Sequence, residues 1–221
     1  MLTVHHLNNS RSQRVLWLLE DLGVPYEIVR YQRQPNMQAP PELRAVHPLG
    51  KSPVITDNGN TIAESGAIAE YLTETYGDGR LIPLPKTPER LRYTYWLHYA
   101  EGSAMSPLLL KLLFTLMPKR APALLRPVVR KVANQALTAL VNPMLKQHMA
   151  FWESELGKSE WFAGNEFTVA DIQMSFPLEA AAARAGLDQG HPKAMAFLDR
   201  IHARPTYQRA LERGGPYAVG R

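Results

Sequence analysis

Residues 50–72, GKSPVITDNGNTIAESGAIAEYL, decide the fold of this chain, because they contain a β-hairpin followed at once by the start of a helix. Two short β-prone runs, 54–56 and 61–63, flank Asn58 and Gly59, which supply the positive φ that a tight hairpin turn needs. Apolar residues then recur at helical spacing from Ile68 to Tyr76. We therefore expect strand, turn, strand and helix in immediate succession, with Ser65 as the helix cap.

The same stretch carries groups that suit a peptide ligand. A helix N-terminus attracts a carboxylate, and a serine hydroxyl at that point adds a second contact. The neighbouring Glu64 can hold an ammonium group, so that Glu64 and Ser65 together fit an α-amino-acid head group. The proline of Ser52-Pro53 marks either a sheet edge or a cis bond, and Ser52 is left extended, with its backbone free to pair with an added strand. The alternative is that Ser65 simply caps a helix and Pro53 simply begins a strand.

The preceding residues predict a βαβ unit. Residues 3–7 and 26–31 are strand-like, and the segment between them has helical periodicity that ends at Gly23. A unit this short makes a parallel strand pair with a right-handed crossover. The proline-rich residues 32–48 predict a loop with at most a short helix. The order up to residue 77 is therefore β-α-β-loop-β-β-α.

The remainder of the chain reads as helical. We expect an α/β domain over residues 1–78, a proline-rich linker over 79–88 and an all-helical domain over 89–221. Within that domain we predict a helix over 89–117 with interruptions at Gly102 and Pro107, a break over 118–127, and an amphipathic helix over 137–156 with a kink at Pro143. Residues 168–171, Thr-Val-Ala-Asp, predict a capping box.

Composition excludes several classes of function. The chain has no cysteine, which removes disulfides, thiolate-ligated metals and a cysteine nucleophile. Its 7 histidines show no usual metal-ligand spacing, so we expect no metal. No apolar run reaches the length of a membrane span, so we expect a cytoplasmic protein without a membrane partner.

Charge is unevenly distributed. Residues 1–78 carry 6 Lys+Arg against 9 Asp+Glu, whereas the rest of the chain carries 19 against 11. A nucleic-acid patch would need aromatic side chains among its basic residues, and the one dense basic group lacks them. We interpret that group as a solvated turn and expect no nucleic-acid partner; it comprises Lys119, Arg120, Arg126, Arg130 and Lys131.

Residues 8–14, Asn-Asn-Ser-Arg-Ser-Gln-Arg, join the first strand to the first helix. A hydroxyl that donates to a thiol sulfur near a helix N-terminus lowers the thiol pKa and raises the thiolate fraction at neutral pH. The alternative is that these residues are ordinary helix caps, since their types dominate N-caps.

The pattern of Pro53, Glu64 and Ser65 after a βαβ start resembles that of the soluble glutathione transferases, whose first domain is thioredoxin-like. The resemblance covers nearly the whole chain and implies a serine-type, bacterial or fungal-like subclass. It implies that Ser10, four residues before Arg14, activates the glutathione thiol, with Ser12 and Asn9 as rivals. The glutathione-binding residues that it implies are Gln38, Lys51, Ser52, Pro53, Glu64 and Ser65. The family more often has an aliphatic residue where Ser52 stands.

The resemblance further implies conjugation of glutathione to a small apolar electrophile, a role in detoxification, and a homodimer. The helix from Glu89 would form the dimer interface, and Glu101 would reach the neighbour's site. The candidate wall of the electrophile pocket consists of Tyr93, Trp96, Tyr99, Met105 and Leu109. A stripe of Met and aromatic residues at helical spacing is more often core or dimer interface, so we do not count these residues among the sites. Two alternatives stay open: glutathione-dependent isomerase, peroxidase or disulfide reductase chemistry, and a non-catalytic ligand-binding or regulatory relative.

Overall fold

The computed structural model describes residues 1–36 and 38–219. The chain begins with a four-stranded sheet in the order β2-β1-β3-β4, in which β1 and β2 are parallel and the other pairs antiparallel. The predicted order of elements is confirmed. The elements are β1 (Thr3–Leu7), α1 (Ser12–Leu22), β2 (Glu27–Tyr31), α2 (Pro41–Val46), β3 (Val54–Asp57), β4 (Asn60–Ala63) and α3 (Ser65–Tyr76).

The two faces of the sheet are covered by different helices. Val4 and Ile55 join the main apolar core together with α1 and α3, whereas Leu7 packs with Leu43 of α2 in a separate small cluster. This division follows from β-strand geometry, because successive side chains point to opposite faces. His6 therefore lies on the α1 side of the sheet, where the loop before α1 passes.

The hairpin forms as the sequence predicts. Asn58 and Gly59 have φ of 48° and 80°, and Asp57 pairs with Asn60 across the turn. The Asp57 carboxylate also accepts the hydroxyl of Tyr71 at 2.9 Å and that of Tyr76. Both tyrosines belong to α3, so that the turn and the helix that follows it are held together.

The second domain is entirely helical within the described residues. Its helices are α4 (Pro88–Tyr99), α5 (Met105–Arg120), α6 (Arg126–Ala136), α7 (Asn142–Leu156), α8 (Val169–Arg184), α9 (Pro192–His202) and α10 (Pro205–Gly214). Two π-helical segments, Ala100–Ala104 and Leu137–Val141, connect α4 to α5 and α6 to α7.

The π-helical segments explain how prolines fit inside these long helices. A proline ring clashes with the carbonyl four residues earlier, and for Pro107 and Pro143 that carbonyl belongs to Ser103 and Ala139. Both carbonyls lie in the wider π-helical turns. The predicted interruptions therefore exist as local widening, and the chain continues as helix on both sides.

The predicted break at residues 118–127 is too wide. Helix α5 runs through Pro118 to Arg120, and α6 already begins at Arg126. Pro118 lies in the last turn of α5, where a missing backbone donor removes at most one intrahelical hydrogen bond and few residues follow.

One apolar core spans both domains. Trp17 of α1 packs 5.6 Å from the ring of Phe167 and 5.1 Å from that of Tyr207, both in the second domain. Four of the five candidate wall residues are buried in this core, and Leu109 is 59% exposed. The four are Tyr93, Trp96, Tyr99 and Met105. For those four, the interpretation as core is the one that the structure supports.

The capping box at the start of α8 is confirmed. The buried Asp171 carboxylate accepts the N–H of Thr168 at 2.8 Å, its hydroxyl at 3.0 Å and the N–H of Phe162 at 2.9 Å. Burial raises the pKa of Asp171 to about 6, although these donors act in the opposite direction. The box thus joins the helix to the preceding loop.

We predict that Asp171→Ala lowers the free energy of unfolding by about 2–4 kcal/mol, because it leaves two buried N–H groups without an acceptor. Denaturant unfolding monitored by circular dichroism measures the change. The control is Glu166→Gln, an exposed carboxyl in the same loop, which should stay within about 0.5 kcal/mol of wild type. Equal stability of the two variants would contradict a structural role for the box.

Candidate active site

A cleft lies at the end of the sheet, and all of its lining residues belong to the first domain. Its lining includes five charged or polar side chains and one proline from three separate segments, together with His47, Leu49 and Ala63. The six are Arg11, Lys51, Ser52, Pro53, Glu64 and Ser65. Five of the six glutathione-binding residues predicted from the sequence are therefore neighbours here.

The cis peptide bond between Ser52 and Pro53 forms one wall of the cleft. The β1–β3 pairing ends at His5 and Val54, and Val54 directly follows Pro53 in the chain. Beyond that point the Ser52 hydroxyl replaces the ladder, since it donates to the His5 carbonyl at 3.0 Å and accepts from the Leu7 N–H at 3.3 Å. Among the described residues the Ser52 backbone takes part in no hydrogen bond, so it can pair with an extended peptide.

The expectation that Ser65 caps α3 is wrong. Ser65 is the first residue of the helix, and Glu64 occupies the cap position without a side-chain hydrogen bond to the helix. Glu64 has φ of 71°, a backbone conformation that non-glycine residues adopt rarely and mostly where the surrounding structure imposes it. The exposed Glu64 side chain forms no ion pair with any described residue. Its carboxylate is consequently available to a ligand ammonium.

Beneath Ser65 lies a buried arginine. Arg14 donates to the Ser65 hydroxyl at 3.2 Å and to the Gln173 carbonyl at 2.6 Å, and it also pairs with Glu101. Arg11 contacts the other oxygen of Glu101 at 3.3 Å. Burial alone would raise the pKa of Glu101, but the two arginines outweigh it and the pKa is lowered. Glu101 is thus an ionised partner of two cations.

The Glu101 carboxylate contacts Arg11 and Arg14 of its own chain. Its reach into a neighbour's site stays a prediction. The π-helical segment Ala100–Ala104 carries Glu101, and π-helical turns recur at functional sites. The positive charge that remains beside Ser65 favours a ligand carboxylate.

The Ser10 hydroxyl belongs to a chain of hydrogen bonds under the loop. It lies 2.7 Å from the Ser12 hydroxyl and 3.3 Å from that of Ser52, and it accepts the Ser12 N–H at 3.2 Å. Ser12 in turn lies 2.9 Å from Nδ1 of His6. Ser10 therefore contacts one residue of the cleft wall, although it is 4% exposed and is not itself part of the lining.

The two rivals of Ser10 have other partners. Ser12 is fully buried and turned toward His6. Asn9 has φ of 50°, and its side-chain oxygen accepts the N–H of Ala218 at 2.7 Å, which ties the loop to the C-terminal segment. Of the three side chains, Ser10 is the one bonded to the wall of the cleft.

Gln38 lies apart from the other predicted residues. Its side-chain oxygen accepts from Arg44 at 2.7 Å, and it is exposed and absent from the lining of the cleft. Arg44 itself lies over Gly50, where a Cβ would be 2.6 Å from its side chain. Gln38 is thus connected to the cleft only indirectly, because its partner Arg44 packs over Gly50, the residue before Lys51.

Sequence reasoning missed three parts of the site. His47 and Leu49 line the cleft from the loop before Lys51, and no local pattern distinguishes them from other loop residues. The contact of His6 with Ser12 arises because a β1 side chain faces the loop. Burial lowers the pKa of His6 to about 4, Arg30 adds to the lowering, and a hydrogen bond to the Gly214 backbone opposes it. His6 is therefore neutral at physiological pH.

The arrangement provides a free backbone edge beside a cis-proline, an unpaired carboxylate, and a hydroxyl at a helix N-terminus backed by a cation. An extended peptide with an α-amino-acid end fits these groups. The fold and the cleft together define a thioredoxin-like protein with a helical second domain that can hold such a peptide along its sheet edge.

Comparison with known proteins agrees with this class. The family model described as glutathione S-transferase, N-terminal domain, matches residues 1–74, and that described as glutathione S-transferase, C-terminal domain, matches residues 116–205. The chain belongs to the glutathione S-transferase family, and it is a glutathione transferase that activates the thiol of bound glutathione.

Relatives in several organisms match over most of the chain. Glutathione S-transferase 3 of Schizosaccharomyces pombe is 34% identical and covers 96% of this chain and 88% of its own length. Glutathione S-transferase 1 of Saccharomyces cerevisiae is 32% identical, and the match covers 96% of this chain and 95% of the yeast protein. The chain in a crystal structure of a glutathione S-transferase from Actinobacillus pleuropneumoniae is 31% identical to this one. The match covers 100% of this chain and 96% of that one, with a TM-score of 0.81.

Across residues 1–36 and 38–219, none of the helices combines the length and the apolar character needed to cross a membrane.

We predict that His6 makes stability depend on pH. Its folded pKa of about 4 lies below the unfolded value of 6.5, so the unfolded state binds more protons as the pH falls between these values, and stability is lost. Between about pH 7 and about pH 4.5, the free energy of unfolding of the wild type should fall by about 2 kcal/mol more than that of His6→Gln, which lacks this titrating group.

Urea unfolding at several pH values measures this effect. His98→Gln is the control, because His98 is exposed on α4. An unchanged pH dependence in His6→Gln, with wild-type stability at neutral pH, would show that His6 is not held neutral by the fold.

Proposed function

We propose that this transferase is of the serine type and that Ser10 stabilises the thiolate of glutathione. The observation that carries the proposal is that Ser10 bonds the Ser52 hydroxyl at 3.3 Å, directly beside the cis-proline where a peptide can pair with the sheet edge. A peptide seated on the Ser52 backbone brings its central residue close to that hydroxyl. The hydroxyl then donates to sulfur and favours the ionised form.

The proposed orientation of glutathione follows from charge. Its γ-glutamyl end carries an ammonium, which suits the unpaired Glu64, and a carboxylate, which suits Ser65 at the start of α3 with Arg14 behind it. The cysteinyl residue pairs with the Ser52 backbone beside Pro53. The glycyl carboxylate lies toward Lys51, with Gln38 acting at that end through Arg44.

The hydrogen-bond chain supports the role of Ser10. The Ser12 N–H donates to the Ser10 oxygen, and Ser10 donates its own proton to the Ser52 hydroxyl over a long 3.3 Å contact. We propose that this proton turns from Ser52 to the sulfur when glutathione binds. Ser12 and the neutral His6 hold this geometry from below. We therefore assign Ser12 and His6 a positioning role and Ser10 the contact with sulfur.

In the proposed reaction the thiolate attacks an apolar electrophile, and the sulfur–carbon bond forms as the leaving group departs or the acceptor takes the electron pair. The protein supplies binding, orientation and a lowered thiol pKa, without a covalent enzyme intermediate. We propose that the second domain, residues 89–221 after the linker 79–88, holds the electrophile next to residues 1–78. Leu109, which stays exposed on α5, is the wall residue that we retain. We also propose a detoxifying role in the cytoplasm, since a chain without cysteine needs no oxidising compartment.

We predict that Ser10→Ala lowers kcat by about tenfold or more, with little change in glutathione affinity, because one donor to the thiolate is lost. The direct readout is the pKa of bound glutathione, followed by the ultraviolet absorbance of the thiolate. The protein has no cysteine, so the signal belongs to glutathione alone. The bound thiol pKa should rise toward its free value in Ser10→Ala.

The matched variant is Ser65→Ala, which should raise KM for glutathione several-fold and leave the pKa of the bound thiol unchanged. An unaltered thiol pKa in Ser10→Ala would move the contact to Arg11, Ser12 or a backbone N–H. Peroxide and disulfide substrates assayed with the same variants would distinguish conjugation from peroxidase or reductase chemistry on the same thiolate.

We also propose that the protein is a homodimer with α4 in its interface. Leu91 and Tyr95, one helical turn apart on α4, are 76% and 49% exposed, which is unusual for large apolar side chains on one helix face. A second copy would remove this surface from water.

We predict that light scattering gives twice the chain mass of 24.9 kDa, and that Leu91→Asp shifts the protein toward the monomer, because it places a charge in an apolar contact. The control is Leu124→Asp, on the loop after α5, where the side chain is also exposed. A wild-type monomer, or an equal effect of both substitutions, would contradict the proposed interface.

A further inference from the structure

Residues 215–219 follow α10, and we call them the strap. They contain neither helix nor strand. Tyr217 and Val219 are nonetheless only 5% and 8% exposed, and both belong to the main apolar core. None of the five strap residues lines the glutathione cleft. The strap is therefore a packed segment that lies outside the cleft.

The strap is bonded to the loop directly before Ser10. The Ala218 N–H donates to the side-chain oxygen of Asn9 at 2.7 Å. Asn9 has φ of 50°, and residues other than glycine hold such a backbone conformation where neighbouring contacts impose it. Because Asn9 and Ser10 share a peptide bond, the contact that holds Asn9 also limits where the Ser10 hydroxyl can lie.

The end of α10 contacts the loop on the other side of Ser10. Gly214 is buried, and a Cβ at this position would overlap the side-chain oxygen of Gln13. The Gly214 backbone also forms a hydrogen bond with His6, whose Nδ1 lies 2.9 Å from the Ser12 hydroxyl. The loop is thus held by the same end of the second domain before and after Ser10.

The strap is itself anchored to α8. The Tyr217 hydroxyl donates to the Glu179 carboxylate at 2.7 Å, and both side chains are buried. Tyr207 of α10 donates to the other carboxylate oxygen at 2.6 Å, and His202 contacts that same oxygen at 3.1 Å. Burial and the nearby Glu179 carboxylate raise the pKa of Tyr217 well above its usual value, so its hydroxyl remains a donor. A buried carboxylate is costly without its donors, which fixes the strap in one position.

We propose that the strap positions the Ser10 hydroxyl for the glutathione thiolate, with Tyr217 fixing the strap on α8 and Ala218 passing that position to the loop through Asn9. This inference rests on the proposed role of Ser10. Tyr217 and Ala218 are positioning residues, because they act through Asn9 and do not line the cleft. If the strap only added stability, a folded variant without these bonds would keep the thiol pKa of the wild-type complex.

The matched variants that test the proposal are Ala218→Pro and Ala218→Gly. Proline lacks the N–H that Asn9 accepts, whereas glycine keeps it, and the exposed Ala218 side chain contributes little packing in either case. The readout is the pKa of the bound glutathione thiol, followed by ultraviolet absorbance in a protein without cysteine.

We expect Ala218→Pro to raise the thiol pKa by about half a unit or more, which lowers the thiolate fraction about threefold at a pH below that pKa. The kcat at that pH should fall in the same proportion, with little change in KM for glutathione. Ala218→Gly should keep the wild-type thiol pKa.

A second pair of variants tests the anchor. Tyr217→Phe and Tyr207→Phe each remove one hydroxyl donor from Glu179, but only Tyr217 belongs to the strap. Tyr217→Phe should therefore raise the thiol pKa, and Tyr207→Phe should leave it unchanged even where it lowers the melting temperature as much. This pair decides the matter by itself if Ala218→Pro does not fold.

A double variant separates an effect through Ser10 from general loosening of the loop. In the Ser10→Ala background, Ala218→Pro should add little to the thiol pKa, because the hydroxyl that the strap positions is gone. The proposal is overturned if folded Ala218→Pro keeps the wild-type thiol pKa, if Ala218→Gly raises it equally, or if the effect of Ala218→Pro is undiminished in Ser10→Ala. Ser10→Ala alone tests the proposed function, so a raised thiol pKa there without any effect of the strap variants would contradict only this inference.

Discussion

The structure depends most on one buried arginine. Arg14 lies in α1 and contacts Ser65 of α3, the Gln173 carbonyl of α8 and Glu101 of the π-helical segment between α4 and α5. A buried guanidinium is costly unless its charge is paired and its donors are satisfied. The partners of Arg14 come from both domains, so the need to pair this buried charge constrains how the helical domain packs on the first domain. The guanidinium also places positive charge next to Ser65, where a ligand carboxylate is expected.

The polar residues of the site form two separate systems with different tasks. Arg11, Arg14 and Glu101 constitute an ionic system around the start of α3, where a zwitterionic head group would lie. Ser10, Ser12, Ser52 and His6 constitute a neutral chain of hydrogen bonds between β1, the loop and the cis-proline. Keeping His6 neutral suits this division, because a neutral imidazole can accept the Ser12 hydroxyl at Nδ1, whereas a charged imidazole can only donate. Ser52 links the chain to the sheet edge, because its hydroxyl donates to the His5 carbonyl and accepts from Ser10.

Local patterns predicted the order of elements well because each has a short-range cause. The hairpin at Asn58-Gly59 follows from positive φ, and the capping box at Thr168 follows from the donors at a helix start. Predictions failed where the cause is long-range. Ser65 has the residue type of a cap, yet its hydroxyl accepts from Arg14, 51 positions away. The break around Pro118 is shorter than predicted. The presence of a proline does not by itself show whether it lies in the last turn of a helix, where a proline is tolerated.

By itself, then, the sequence determined the two-domain layout and the residue types of the cleft, since Pro53, Glu64 and Ser65 are close in the chain and their spacing limits where they can lie. Only the tertiary structure decided which hydroxyl in residues 8–14 meets the cleft wall, which charge Glu101 neutralises, and that the segment after α10 bonds the loop before Ser10. The physical reason is that hydrogen bonds and ion pairs act over a few ångströms in space. Residues far apart in the chain reach that distance only after the domains have packed.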